Sequence, residues 1–255
     1  MKFQTTHYHL DLLKDTDRIS AFFEAIENYS SKSDFAYDLG CGSGVLSYFL
    51  SSKFKEVTAI EINSKAYDCA KNNLKDFKNV NVINTDVLDY DFSKTADLIV
   101  CEMLDTALID EEEVPVLNHA RRFLKEDGEI IPKAVINFAE LVNMQRHYIH
   151  WDENVIYESL SEPVNYSNIN LNEYINPDFE KALEFKVNGD GIANGIKITT
   201  VTILNDEIVC GPTPMFNPPL LVPIEETDVK CNDFINVKLK YIMGQGIETI
   251  KTQIL

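Results

Sequence analysis

Apolar positions along the first half of the chain alternate between two kinds of run. Phe35-Ala36-Tyr37, Glu56-Val57-Thr58-Ala59-Ile60, Val80-Asn81-Val82-Ile83 and Asp97-Leu98-Ile99-Val100-Cys101 are short runs that predict buried strands. The intervening segments carry helical spacing instead. Ile19, Phe22, Phe23 and Ile26 form one apolar face before the first strand, and an amphipathic helix opens at Ser43 after it. A third helix is predicted to run from an N-cap at Ser64 through Leu74, with Ala66, Cys69, Ala70 and Asn73 on its path. A fourth covers about 112–124 and turns Val116, Leu117, Ala120, Phe123 and Leu124 inward. Pro115 is tolerated in its first turn, where no N–H partner is lost. Gly128 stops the helical pattern and a fifth strand closes at Ile130-Ile131-Pro132. Five β-α alternations predict a doubly wound, Rossmann-like parallel sheet over residues 1–132.

From Lys133 the period changes. Residues 134–142 alternate as a strand, and 195–204 alternate with β-branched residues. Residues 233–243 and 247–253 read as a hairpin around Gly244-Gln245-Gly246. The polar stretch 152–185 is expected to be irregular with short helices, and Met215-Phe216-Asn217-Pro218-Pro219 to be a stiff loop. The fold class is therefore α/β over 1–132, followed by a smaller antiparallel β-rich, barrel-like or sandwich domain over 133–255.

Composition adds limits. No apolar run approaches the length of a membrane span, and Met1-Lys2-Phe3-Gln4-Thr5 opens no signal-peptide core, so no membrane partner is expected. Five cysteines without a C-x-x-C pair predict neither a disulfide framework nor a zinc site, and a cytoplasmic location is the simplest inference. His7, His9, His147 and His150 lack metal-ligand spacing, His119 falls in a helix, and no metal is expected. The formal net charge of −18 changes the picture more. Specific nucleic-acid binders usually carry a basic footprint, whereas this chain has no cationic cluster longer than Arg121-Arg122. An acidic surface attracts basic partners and repels polyanions, although the same charge also serves simple solubility.

The candidate chemistry begins between the first strand and its helix. Asp38-Leu39-Gly40-Cys41-Gly42-Ser43-Gly44 places glycine at alternate positions, which permits a tight turn and close approach of a ligand to the backbone. The free N–H groups of the following helix favour a polar or anionic group there. Glu61, at the end of the second strand about 20 residues on, stands where a ribose-binding carboxylate belongs. A dinucleotide fingerprint would require a third glycine where Val45 stands. The G-x-G-x-G pattern instead resembles motif I of the class I S-adenosylmethionine (SAM) methyltransferases. That resemblance implies SAM as cofactor, with Gly40, Gly42 and Gly44 around its methionine part, Glu61 on the ribose and Asp38 fixing the loop or meeting the amino group. It also implies Asp86 on the adenine amino group, with Val87 or Leu88 packed on the ring. An Asp at a strand end also serves as a simple turn residue.

The segment His9, Leu13, Asp15, Arg18 resembles the H-x-x-M-L-x-D-x-x-R pattern that precedes motif I in protein arginine methyltransferases, with Leu12 in the methionine position. The resemblance is specific from His9 to Pro132. It implies that Arg18 pairs with the SAM carboxylate, a task suited to a guanidinium fork. It further implies a pair of catalytic glutamates gripping a substrate guanidinium, and Glu102 and Glu111 stand at the family's nine-residue spacing. The chain departs from the pattern at several points. The intervening loop lacks the usual aromatic and glycine residues, and Glu111 lies in an acidic run that also suits a helix N-terminus. Pro218-Pro219 occupies the approximate place of the family's Thr-His-Trp motif, leaving Asp15 without its histidine partner, and no dimerisation arm is recognisable. The implied function is SAM-dependent N-methylation of a basic protein or peptide. The alternatives are an RNA methyltransferase, which the acidic charge disfavours, and a non-catalytic SAM-binding protein.

Overall fold

The computed structural model describes residues 3–31, 33–151, 156–213 and 215–255. Two helices, α1 (His7–Lys14) and α2 (Thr16–Asn28), precede a β-α succession: β1 (Phe35–Leu39), α3 (Val45–Lys53), β2 (Glu56–Glu61), α4 (Ser64–Leu74), β3 (Val80–Asn84), β4 (Ala96–Cys101), α5 (Glu113–Ala120) and β5 (Leu124–Ile131). The five strands form one parallel sheet in the order β3-β2-β1-β4-β5. β1 and β4, central in it, are buried along their whole lengths, as expected of strands covered on both faces. Chain order reverses between β1 and β4, and open α/β sheets bind ligands outside the strand ends at such a switch point.

Three local expectations are corrected. Asn63, not Ser64, caps α4, because its side-chain oxygen accepts the N–H groups of both Lys65 and Ala66. α5 ends at Ala120 and passes through a single 3-10 turn, so Leu124 opens β5 instead of closing the helix. The stretch expected to be irregular is stranded among its described residues: β8 (Tyr157–Ser159), β9 (Val164–Asn170) and β10 (Asp178–Lys186). Residues 152–155 of that expectation lie outside the described residues. The misreading has a physical cause. β10 buries only Leu183 and Phe185, and β9 only Tyr166, so their composition resembles a loop while ladder pairing holds them as strands.

The remaining strands are β6 (Ala134–Met144), β7 (His150–Trp151), β11 (Gly191–Ile203), β12 (Val209–Cys210), β13 (Leu220–Val229), β14 (Phe234–Ile242) and β15 (Lys251–Ile254). They make an antiparallel sheet ordered β7-β13-β11-β6-β8, with β12 on β11 and β9 on β6, and a second sheet ordered β10-β14-β15. The closing hairpin is present as β14 and β15, although a 3-10 turn at Ile247–Thr249 delays β15 to Lys251. One continuous apolar core runs through both halves, from Phe22 and Leu39 to Ile198 and Tyr241. Among the described residues, no helix is long and apolar enough to cross a membrane.

Candidate active site

The glycine turn is built from backbone bonds. Gly40 and Cys41 both donate to the Ile60 carbonyl, at 3.0 and 2.9 Å, which ties the end of β1 to that of β2. Gly40, Gly42 and Gly44 all have positive φ. At Gly42 a Cβ would stand 2.7 Å from the His9 ring, and at Gly40 it would stand 2.7 Å from Met103 Cγ and Sδ. These two positions therefore need glycine for space as well as for conformation. Gly44 is the left-handed N-cap of α3 and faces Leu74 of α4. Beneath the turn, buried Asp38 accepts the Ser47 hydroxyl. Burial pushes its carboxyl up to about 7, with the Ser47 bonds pulling the other way and Glu102 and Glu61 adding to the rise.

Glu61 is buried at the end of β2, where its Oε2 accepts Gly42 N–H at 2.8 Å and its Oε1 accepts Asn63 N–H at 2.7 Å. Each carboxylate oxygen has two lone pairs, so these bonds orient the group and leave it able to accept hydroxyls. Asp86, past β3, accepts the Leu88 N–H at 2.8 Å, and Val87 beside it is buried.

A cavity of about 230 Å³ opens over the switch point. Its wall brings together Arg18, Gly40, Gly42, Glu61, Glu102 and Glu111, six of the sequence-predicted residues, from four separate stretches of chain. Asp38, Gly44, Asp86 and Val87 are not in that wall. Tyr8, His9, Met103 and Met215 are, and the sequence assigned none of them a role in the site. His9 was grouped with the uninformative histidines; in the structure its ring lies against Gly42 and its Nδ1 meets the Thr6 hydroxyl at 2.6 Å. Its pKa is lowered, chiefly by burial. The sequence marks Met215 only as the start of a proline-stiffened loop.

Arg18 and Glu102 pair directly within the cavity wall. Arg18 is almost fully buried, and its Nε donates to Glu102 Oε1 at 3.1 Å while Nη2 donates to Oε2, a bidentate pair. Its Nη1 donates to the Leu12 carbonyl at 3.3 Å, so these contacts use three of its five donors. Burial works against the Arg18 charge, but the charge and hydrogen bonds of Glu102 outweigh it and hold the guanidinium above its ordinary pKa.

The loop from Glu102 to Glu111 is shaped by an acid that sequence reasoning did not single out. Asp105 accepts the N–H groups of Ile109, Asp110 and Glu111 at 2.9–3.2 Å, which folds the loop back and brings Glu111 to the cavity. Burial raises Asp105 to about 7, against the pull of those backbone bonds. Glu111 is also raised, by burial first and then by Glu102, Asp110 and Glu112. Ala107 and Leu108, inside the loop, both have φ of 60°. Asp15, expected to lack its partner, accepts the Thr213 hydroxyl from the β-rich half. Pro218 contributes a carbonyl to the Thr106 hydroxyl at 2.6 Å.

Comparisons with known proteins bear on the domain and the fold. Residues 36–128 match the family model described as a methyltransferase domain. An uncharacterized protein of Methanothermobacter thermautotrophicus is 44% identical over the full length of both chains. Protein arginine N-methyltransferase 7 of Gallus gallus is 28% identical over 155 residues, a match spanning 54% of this chain and 22% of the chicken enzyme. Among solved structures, the Trypanosoma brucei PRMT1 enzyme-prozyme heterotetrameric complex with AdoHcy superposes with a TM-score of 0.81 at 13% identity, covering 98% of this chain and 96% of that one. The matched domain and these relatives support a class I SAM-dependent methyltransferase that resembles the protein arginine methyltransferases, and the solved structure shows the same fold.

Proposed function

We propose that this methyltransferase N-methylates a basic side chain of a protein or peptide, an arginine guanidinium before all others. The observation that carries the reading is the shared cavity: Glu102 and Glu111 line the same space as the Gly40–Gly42 turn and Glu61. Arg18 is the one cation in that wall among the described residues, and Glu102 already pairs with it. An acid-lined site fits a planar cation with five donors and disfavours the phosphates of RNA.

In this reading Gly40 and Gly42 cradle the methionine part of SAM, with Gly44 shaping the helix start behind them. Arg18 takes the carboxylate, Glu61 the ribose hydroxyls, and Asp86 and Val87 the adenine, while Asp38 fixes the turn. When bound, SAM supplies an electrophilic methyl group. The chain's own residues do the positioning: Glu102 and Glu111 hold the acceptor cation, stabilise its charge and accept the proton that the substituted nitrogen releases.

Glu102→Gln keeps size and hydrogen bonding while deleting charge, so it isolates the electrostatic contribution. Such terms are commonly worth about 2.7–4 kcal/mol, and we expect at least a hundredfold loss of methyl transfer from labelled SAM with SAM affinity kept. Glu111→Gln should lose less, because Asp110, Glu112 and Glu113 crowd its position. Label that survives protease but not nuclease would identify RNA as the acceptor and overturn the proposal.

A further inference from the structure

A further acid, just beyond the Glu102–Glu111 loop, bears on it from behind. Glu113, the first residue of α5, is 0% exposed and lies behind the cavity wall. Its Oε2 accepts the Met103 N–H at 3.1 Å. Its other neighbour is the buried Cys101 thiol, a weak donor that reaches the carboxyl, while Oε1 has no stronger partner among the described residues. A buried carboxyl held by one amide and one weak thiol donor is costly, and packing alone gives no return for it, since an apolar side chain would fill the same space. Nor does favourable charge at a helix N-terminus explain it, because Glu112 already supplies a solvent-facing acid there.

What Glu113 does hold is a single amide at a junction. Met103 follows Glu102 directly, and its side chain covers Gly40 of the glycine turn. Both Glu102 and Met103 line the cavity. The Met103 N–H is therefore a point at which one hydrogen bond fixes the backbone behind the Glu102 carboxylate, which Arg18 holds from the front, and the packing of Met103 over the turn. We infer that Glu113 is a positioning residue for the acceptor subsite, holding the Glu102–Met103 peptide in place through its carboxyl oxygen. This rests on the acceptor reading above.

The inference separates two substitutions. Glu113→Gln retains a carbonyl oxygen able to accept the Met103 N–H. Glu113→Met fills similar space without an acceptor, and Glu113→Leu serves in its place where the methionine variant does not fold. For Glu113→Met we expect kcat to fall at least tenfold with KM for SAM within threefold of native, and hydrogen exchange at the Met103 amide to quicken at least tenfold. Glu113→Gln should restore both to within threefold. A Glu113→Met protein with native kcat overturns the inference, as does a Glu113→Gln protein as impaired as the methionine variant. Unchanged Met103 exchange in Glu113→Met overturns this inference alone. Absence of any methyl transfer by the native chain overturns the acceptor reading, and this one with it.

Discussion

At the scale of single residues, the site depends on carboxylates whose partners differ in kind. Glu61 spends its bonds on the backbone of its own neighbourhood, Gly42 and Asn63, so it is rigid before any ligand arrives. Glu102 spends its bonds on Arg18, a partner 84 residues away. Substituting Glu61 therefore tests the cofactor end. Glu61→Ala removes the proposed ribose acceptor and also the bonds to Gly42 and Asn63 that shape the turn; hydrogen bonds to charged groups are worth about 1.5–3 kcal/mol each. We expect SAM affinity by titration calorimetry to fall at least tenfold in Glu61→Ala. Glu61→Gln, which keeps one acceptor oxygen, should fall less. Unchanged affinity in the alanine variant would remove Glu61 from the site.

The loop between β4 and α5 is the element on which the acceptor reading turns. Two consecutive residues with side chains, Ala107 and Leu108, sit in left-handed backbone. Such conformations cost of order 1–3 kcal/mol each and persist only where the surroundings over-determine them. Asp105 is the internal determinant, through three backbone N–H groups. Its carboxyl titrates near 7, above the ordinary value of 3.8, chiefly because it is buried. The sign follows from linkage: the folded chain keeps a proton that the unfolded chain has already released. The stability that this group contributes is full below about pH 4 and is lost as pH rises through about 7. Asp105→Asn cannot titrate and keeps one acceptor oxygen. In chemical denaturation, native minus variant stability should therefore fall by order of a few kcal/mol between pH 4 and 7.5. A difference that stays flat over that range would mean that Asp105 titrates normally.

For the whole molecule, the β-rich half holds the loop as much as the parallel sheet does. Thr200 of β11 accepts the Ala107 N–H at 2.7 Å and donates to Asn137 of β6 at 2.7 Å. The N–H groups of Gly244 and Gly246, beyond β14, donate to the carbonyls of Leu108 and Ile109 at 2.9 and 3.0 Å. Gly244 also approaches Pro115 too closely for a side chain, since a Cβ there would stand 2.9 Å from Pro115 Cδ. Thr200→Val preserves shape but leaves two buried polar groups, the Ala107 N–H and Asn137 Oδ1, short of a partner. Each such group costs about 1–3 kcal/mol, so we expect about 2–5 kcal/mol lower stability by denaturant titration. Methyl transfer should weaken while SAM binding persists, because the loop is held by this contact and the glycine turn is not. Native stability in Thr200→Val would show that the strained loop holds itself.

The sequence by itself determined what depends on short spacing. The β-α alternation, the glycine turn and the acid 19 residues beyond Gly42 are local patterns, set by side-chain period and by the few residues that tolerate positive φ. Arg18, Glu102 and Glu111 were legible as candidates for the same reason, through motif spacing. Their convergence on one cavity was not, because it depends on the order in which five strands lie side by side. The polar strands β9 and β10 were hidden, since ladder bonds to neighbours far along the chain, not their own composition, keep them extended. The partner of Asp15 was hidden likewise, 198 residues away at Thr213. Asp105 was one residue of the loop with nothing to single it out, and Glu113 was visible only as a member of the acidic run 110–113. Folding decided which acids of that run face solvent, which face the cavity and which are buried beneath it, because only packing fixes how far each carboxylate is from water.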